Sequence, residues 1–295
     1  MSEKIVQTKT LSIAYQEFGQ TNDPVILLIM GLGMQMLAWP DEFCLGLAEK
    51  GYRVVRLDNR DVGLSQKFDG IKAPSPLTLM LRSRFGMPTK VPYRLHDMAE
   101  DVVSLMDFLE IPSAHIVGAS MGGMIAQLVA AHYPERTRTL TSIMSTSGAR
   151  SLPQPSLKVL LQLTRRPVVG EDEYLKNAKK TWAVIGSPGY PADELELEER
   201  FLSAYRRSYY PQGFARQVAA IAASGDRVAD LQKIRAPTLV IHGKADVLVP
   251  VQGGIDTARH IVNARLELIE GMGHDLPRPL LPRFIEHITT LAAGA

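Results

Sequence analysis

Apolar and polar positions alternate in LSIAYQEFG (11–19), as in a strand with one wet face. PVILLIM (24–30) is apolar throughout, the pattern of a strand buried on both faces. YRVVRLD (52–58), AHIVG (114–118), LTSIMS (140–145), PTLVIHG (237–243) and ARLELIE (264–270) repeat the strand signal. Between these runs the period lengthens. In HDMAEDVVSLMDFLE (96–110), Met98, Val102, Leu105, Met106 and Leu109 share one helical face. GGMIAQLVAAHYPE (122–135) runs from a glycine to Pro134, which cannot continue a helix. Strands alternating with helices predict an α/β fold, with a mostly parallel eight-stranded sheet flanked by helices. The first two strands are expected to form an antiparallel hairpin at one edge.

The rhythm breaks between about 146 and 225, where no buried-strand run occurs. Helix-like pieces replace it: SLKVLLQLTRR, EDEYLKNAKKTWAVIG, ELELEERFLSAYRRS and GFARQVAAIAAS, punctuated by SPGYP and YYPQG. Strand patterning resumes at Ala236. This predicts a core of residues 1–146 and 226–295 carrying an inserted helical cap, 147–225.

Composition narrows the function classes. With 295 residues and 45% hydrophobic content the chain can bury a full core. Lys plus Arg number 33 against 31 acidic residues, a balance that gives no argument for nucleic acid. The one cysteine, Cys44, excludes an internal disulfide and fits a reducing compartment. No run approaches the roughly 20 apolar residues of a membrane span, and the first residues lack a secretory pattern. A cytoplasmic protein is expected, acting on a small molecule, without nucleic acid or a membrane span, and compatible with a homo-oligomer. SPLTLMLRSRFGMP (75–88) is apolar with arginines, and is expected to pack over the cap. Arg165–Arg166 and Arg206–Arg207 are expected on solvated cap faces.

Candidate chemistry centres on VGASMGGM (117–124), a G-x-S-x-G motif between the strand AHIVG and the following helix. Strand, tight turn and helix make a nucleophile elbow. Side chains at 118 and 122 would collide with neighbouring backbone, so glycine is required there. Ser120 needs a base and an orienting acid. His274 follows the strand ARLELIE in a glycine-flanked loop, and Asp246 follows PTLVIHG. Both loops lie at the carboxyl ends of parallel strands, on the edge that carries Ser120. The predicted catalytic residues are Ser120, Asp246 and His274. Asp226 and Asp275 are poorly placed to reach His274 Nδ1, His242 reads as a packed histidine, and His115 points away from that edge. His96, His132, His260 and His287 lie in or beside helices. No histidine pair has metal-ligand spacing and HExxH is absent, so neither metal nor cofactor is expected. The oxyanion hole is assigned to the backbone N–H groups of Met121 and of Leu32, in the loop MGLGMQML (30–37). The candidate substrate lining is Gly31, Met34, Met36, Trp182 and Phe214.

Together, MGLGMQMLAWPDEF, DNRDVGLS, GASMGGMIAQ, PTLVIHGKADVLVP and GMGHDLP resemble the α/β-hydrolase family nearly end to end. The likeness is greatest to the subgroup of aclacinomycin methylesterase and related carboxylic-ester hydrolases. The resemblance implies the same triad and the same two oxyanion donors, and it implies hydrolysis of small, mainly apolar esters. Leu32 departs from the glycine of that methylesterase, which would narrow the pocket beside it. DNRDVGLS (58–65) matches a family turn that is structural. The same fold and triad also serve carbon–carbon bond hydrolases, perhydrolases and non-catalytic ligand receptors.

Overall fold

The computed structural model describes residues 2–75, 78–79, 87, 89–163 and 168–295. Eight strands form one sheet: β1 (Lys4–Gln7), β2 (Ser12–Phe18), β3 (Val25–Ile29), β4 (Arg53–Leu57), β5 (Ala114–Ala119), β6 (Thr137–Ile143), β7 (Thr238–Gly243) and β8 (Arg265–Ile269). Their order is β1-β2-β4-β3-β5-β6-β7-β8. β1 pairs antiparallel with β2, and β2 antiparallel with β4. All later neighbours run parallel. The edge hairpin joins the strand read at 11–19 (β2) to β1 and not to the next strand read, β3; β1 is short and largely exposed, so no apolar run marks it. Its Lys4 reaches Glu17 of β2 at 3.0 Å, a charged edge that discourages further strand pairing.

Helices cover both faces, which is why the central strand β3 is apolar and buried at every position. Along β3, Val25, Leu27 and Ile29 pack against α2 (Leu95–Phe108) and α3 (Met121–His132). Ile26 and Leu28 face the other way, onto α1 (Asp41–Glu49) and α10 (Leu281–Ala293) through Phe43, Leu47, Phe284 and Ile288. Burying each such side chain contributes roughly 1.5–3 kcal/mol. The predicted α2 stripe follows this pattern: Met98, Val102, Leu105 and Met106 are buried and Leu109 is packed at the margin.

Between β6 and β7 the chain makes a helical insertion: α4 (Leu157–Leu163), α5 (Glu171–Ile185), α6 (Glu194–Ser208) and α7 (Pro211–Ser224). The short α8 (Val228–Leu231) then returns it to the sheet, and α9 (Gln252–His260) joins β7 to β8. Asp193 caps α6 by accepting the N–H groups of Leu195 and Glu196, at 3.0 and 2.9 Å. Pro211 opens α7, where its missing N–H costs nothing.

The turn 58–65 anchors the insertion. Asp61, buried and at φ 68°, accepts two bonds from Arg216 of α7, each 2.8 Å, and one from Tyr93 Oη at 2.6 Å. Arg207 corrects one expectation. Arg206 is solvated beside Glu171, but Arg207 turns inward to Asp58, Gln35 and Glu3 at 2.8, 2.6 and 2.8 Å. The buried Asp58 carboxylate needs a cation, and Arg207 supplies it. Arg165–Arg166 and most of 75–88 lie outside the described residues. No helix among the described residues is long and apolar enough to cross a membrane.

Candidate active site

Strand order reverses at β3: the chain goes from β3 out to β4, then returns to the other side of β3 as β5. The crevice at such a switch point collects ligands in open α/β sheets. Ser120 sits there, one residue beyond β5, at φ 56°. This left-handed conformation is strained for a serine. Its N–H donates to Ile143 O at 2.9 Å, and its carbonyl accepts from Ser145 Oγ at 2.8 Å, which holds the turn. A Cβ on Gly118 would stand 2.1 Å from Gly122 O, and one on Gly122 would stand 2.1 Å from Ile29 O. Backbone cannot yield like a flexible side chain, so both positions exclude a side chain.

His274 lies between the serine and an acid. Its Nε2 is 2.9 Å from Ser120 Oγ and its Nδ1 is 2.7 Å from Asp246 Oδ2. An ionised carboxylate only accepts, so Nδ1 carries the proton and Nε2 is free to accept from the serine hydroxyl. Asp246 Oδ1 accepts the N–H groups of Leu248 and Val249, at 2.9 and 2.8 Å. Burial alone would raise its pKa. Attraction to the His274 ring when it is protonated, and the bonds from His242 and His274, outweigh that and hold it at about 2. His242 is fully buried behind the acid, its Nε2 2.8 Å from Val249 O and 3.5 Å from Asp246 Oδ2. Asp275 turns away from His274 and bonds Ser187 Oγ. His115 is packed inside the sheet against Thr139. The thiol of Cys44 is buried, which pushes it up to about 12.

The loop after β3 lies against the serine: a Cβ on Gly31 would be 3.0 Å from Ser120 Cβ. Met34 N–H closes a turn onto Gly31 O at 3.2 Å, and Gly33 N–H donates to Gln217 Oε1 at 2.8 Å. Among the described residues, the Leu32 N–H donates to no protein group. Met121 begins α3, where the first N–H groups lack intrahelical acceptors. Two free donors therefore flank Ser120.

The expected lining divides. Phe214 packs on the Gly33 backbone and Met34 is 37% exposed beside it. Met36 has no exposed surface, because its N–H is drawn in to Asp58 Oδ1 at 2.7 Å. Trp182 lines a different space, a groove of about 360 Å³ with Ala183, Ser187, Pro188, Ala245 and Val247. This groove runs behind the Asp246 loop and is not lined by Ser120.

Sequence reasoning missed the support of the histidine loop by the insertion. Ile185 O accepts the His274 N–H at 2.7 Å, and Ser187 Oγ accepts the Gly273 N–H at 2.8 Å. Ser187 and His274 are far apart in the chain, and nothing local to SPGYP signals the contact. Gln217, which holds both Gly33 N–H and Arg60 O, was equally hidden. The one available hint was the glycine at 273, where a Cβ would stand 2.5 Å from Gly186 O.

Comparison with known proteins agrees with this fold. A rhodomycin D methylesterase of Streptomyces peucetius is 27% identical over 297 residues, covering 94% of this chain and 93% of its own. The 3-oxoadipate enol-lactonase 2 of Acinetobacter baylyi is 28% identical, covering 88% of this chain and 85% of its own. Among solved structures, an enol-lactonase from Burkholderia xenovorans LB400 superposes with a TM-score of 0.74 at 21% identity. That match covers 98% of this chain and 100% of the other, and shows a shared fold. The family described as alpha/beta hydrolase fold matches residues 24–277. With strand order, insertion and matched residues in agreement, this chain belongs to the α/β-hydrolase family.

Proposed function

We propose that this protein is a serine hydrolase of small, mainly apolar carboxylic esters, working through an acyl-enzyme on Ser120. The observation that carries the reading is the His274 ring, hydrogen-bonded to Ser120 on one side and to Asp246 on the other. Ser120 Oγ attacks the ester carbonyl carbon while His274 Nε2 takes its proton. The tetrahedral oxyanion is held by the N–H groups of Leu32 and Met121. Collapse releases the alcohol, which leaves with the proton from His274. Water, deprotonated by the same nitrogen, then cleaves the acyl-enzyme and restores the serine. Asp246 fixes the tautomer and stabilises the imidazolium.

The relatives support an ester bond as the target. Two are methylesterases, and a lactone is an internal ester. Short to medium acyl groups suit a site overlain by Phe214 and the insertion. A second reading comes from the 26% identical 2-hydroxy-6-oxononadienedioate hydrolase of Escherichia coli, which breaks a carbon–carbon bond. The residues 1–146 and 226–295 are taken as the catalytic core, with 147–225 as its cap.

The test is a panel of p-nitrophenyl and methyl esters of graded acyl length, beside a carbon–carbon hydrolase substrate and a peracid assay. Fluorophosphonate labelling followed by mass spectrometry locates the nucleophile. Short-chain ester turnover with an adduct on Ser120 is expected. An adduct elsewhere, an active Ser120→Ala protein, or turnover of the carbon–carbon substrate alone would end the reading.

A further inference from the structure

Spacing along the chain offers no metal-binding histidine pair, yet the fold gathers one. His96 stands in the first turn of α2, His132 is the last residue of α3, and Asp230 lies in α8. One donor atom from each lies within 4.8 Å of the other two. His132 Nε2 is 3.1 Å from Asp230 Oδ1, and the two imidazole centroids are 5.2 Å apart at 62°. We propose that His96, His132 and Asp230 bind one divalent transition-metal ion of the zinc or cobalt type, through two ring nitrogens and one carboxylate oxygen.

The donor set selects the ion. Two imidazoles and a carboxylate suit zinc, cobalt or nickel, whereas calcium and magnesium require oxygen ligands throughout. Zinc bonds of about 2.0–2.2 Å put two tetrahedral ligands about 3.3 Å apart. The His132–Asp230 edge already has that length. The other edges must close by about 1.5 Å at most to reach the same value. His132 is 35% exposed, so its side chain has room to move. The three ligands stand on three separate helices, and α2 and α3 are packed together through the core cluster.

One resident cation stands in the way. Lys233 Nζ bonds Asp230 Oδ1 at 2.8 Å, and an incoming ion must displace it. Lys233 is 55% exposed, so it is released to water at little cost. The site is structural in position. His132 lies about 16 Å along α3 from Met121, too far for the ion to touch chemistry at Ser120. Bound there, it would tie the segment leaving the insertion to the two helices beneath the sheet.

The test uses full-length, tag-free protein stripped with a chelator. Titration with zinc chloride in a calorimeter should show one equivalent bound with a micromolar Kd. Cobalt should give visible absorption bands of nitrogen and oxygen ligation. His96→Gln and His132→Gln should each weaken binding at least tenfold, and Lys233→Gln should tighten it. Melting temperature should rise with zinc in the parent protein and not in the histidine variants. Fold is checked by circular dichroism in every variant. No saturable binding at 100-fold molar excess of zinc would overturn the proposal, as would binding unchanged in both histidine variants. Zinc binding at this distant site is independent of ester hydrolysis.

Discussion

The backbone N–H of His274 donates to the carbonyl of Ile185, 2.7 Å away, across the seam between the sheet and the helical insertion. Ser187 extends the seam, accepting the Gly273 N–H at 2.8 Å and bonding the Asp275 carboxylate. The residues on both sides of His274 are thus held by one hydroxyl. Gly189 N–H adds a bond to Gly271 O at 2.9 Å. The insertion therefore braces the loop that carries His274.

Ser187→Ala should lower kcat for ester hydrolysis by about 10- to 100-fold, because a small displacement of the base is costly in rate. KM should move little, since Ser187 braces the histidine loop from the insertion and makes no bond to the Gly31–Met34 turn. Fluorophosphonate labelling of Ser120 should slow in parallel, and Ser187→Thr, which keeps the hydroxyl, should recover much of the rate. Unchanged kcat in the alanine variant would show that the loop keeps its shape without this bond.

Asp246→Asn should fold and lose activity on the order of 10³–10⁴-fold, because the amide no longer fixes the working tautomer of His274. Its effect on stability depends on pH. The Asp246 carboxyl is held at about 2, below its ordinary 3.8. A depressed acid stabilises the fold fully above its unfolded pKa and loses that contribution as pH falls through the folded value. Urea unfolding should show roughly 2 kcal/mol of this contribution at pH 5, fading between about pH 4 and pH 2. A stability gap between wild type and variant that stays constant across that window would contradict the assignment.

Gly122→Ala should be poorly tolerated even though alanine favours helices. Its Cβ would stand 2.1 Å from Ile29 O, at the end of the central strand β3. Forced repacking costs about 1–3 kcal/mol or more, visible as a lower melting temperature or loss of soluble protein. By contrast Gly51→Ala meets no atom within 4 Å and should cost only its strained φ of 84°.

Arg216→Met should destabilise the protein by roughly 3–5 kcal/mol, because it leaves the Asp61 carboxylate buried without its cation. Arg216→Lys should not restore the loss, since a single ammonium cannot replace the two-pronged contact. Adding Asp61→Asn to Arg216→Met should recover part of it, and asparagine tolerates the φ of 68°. Denaturant midpoints of the parent, Arg216→Met, Asp61→Asn and the double variant form the cycle; additive losses would show that the pair does not act as one unit.

Much of this protein is local information. Period-two and continuous apolar runs mark β2 to β8 because a face packed in the core favours apolar side chains. The elbow was legible at Gly118, Ser120 and Gly122 because a strained serine between backbone contacts admits only those residues. Asp246 and His274 could be proposed because strand ends in a parallel sheet share one edge, so topology turns chain order into neighbourhood.

Only tertiary structure decided the rest. Arg207 reads as a surface residue in a charged helix, and becomes the half-buried partner of a buried carboxylate once Asp58 lies opposite it. Met36 reads as pocket lining, and is drawn inward by the same carboxylate. Ser187 meets Asp275, and His96 meets His132 and Asp230, across separations that no window along the chain contains. Periodicity reports which face of an element is dry. Which side chains meet across two dry or polar faces depends on how the elements dock, and that is settled by packing of the whole chain at once.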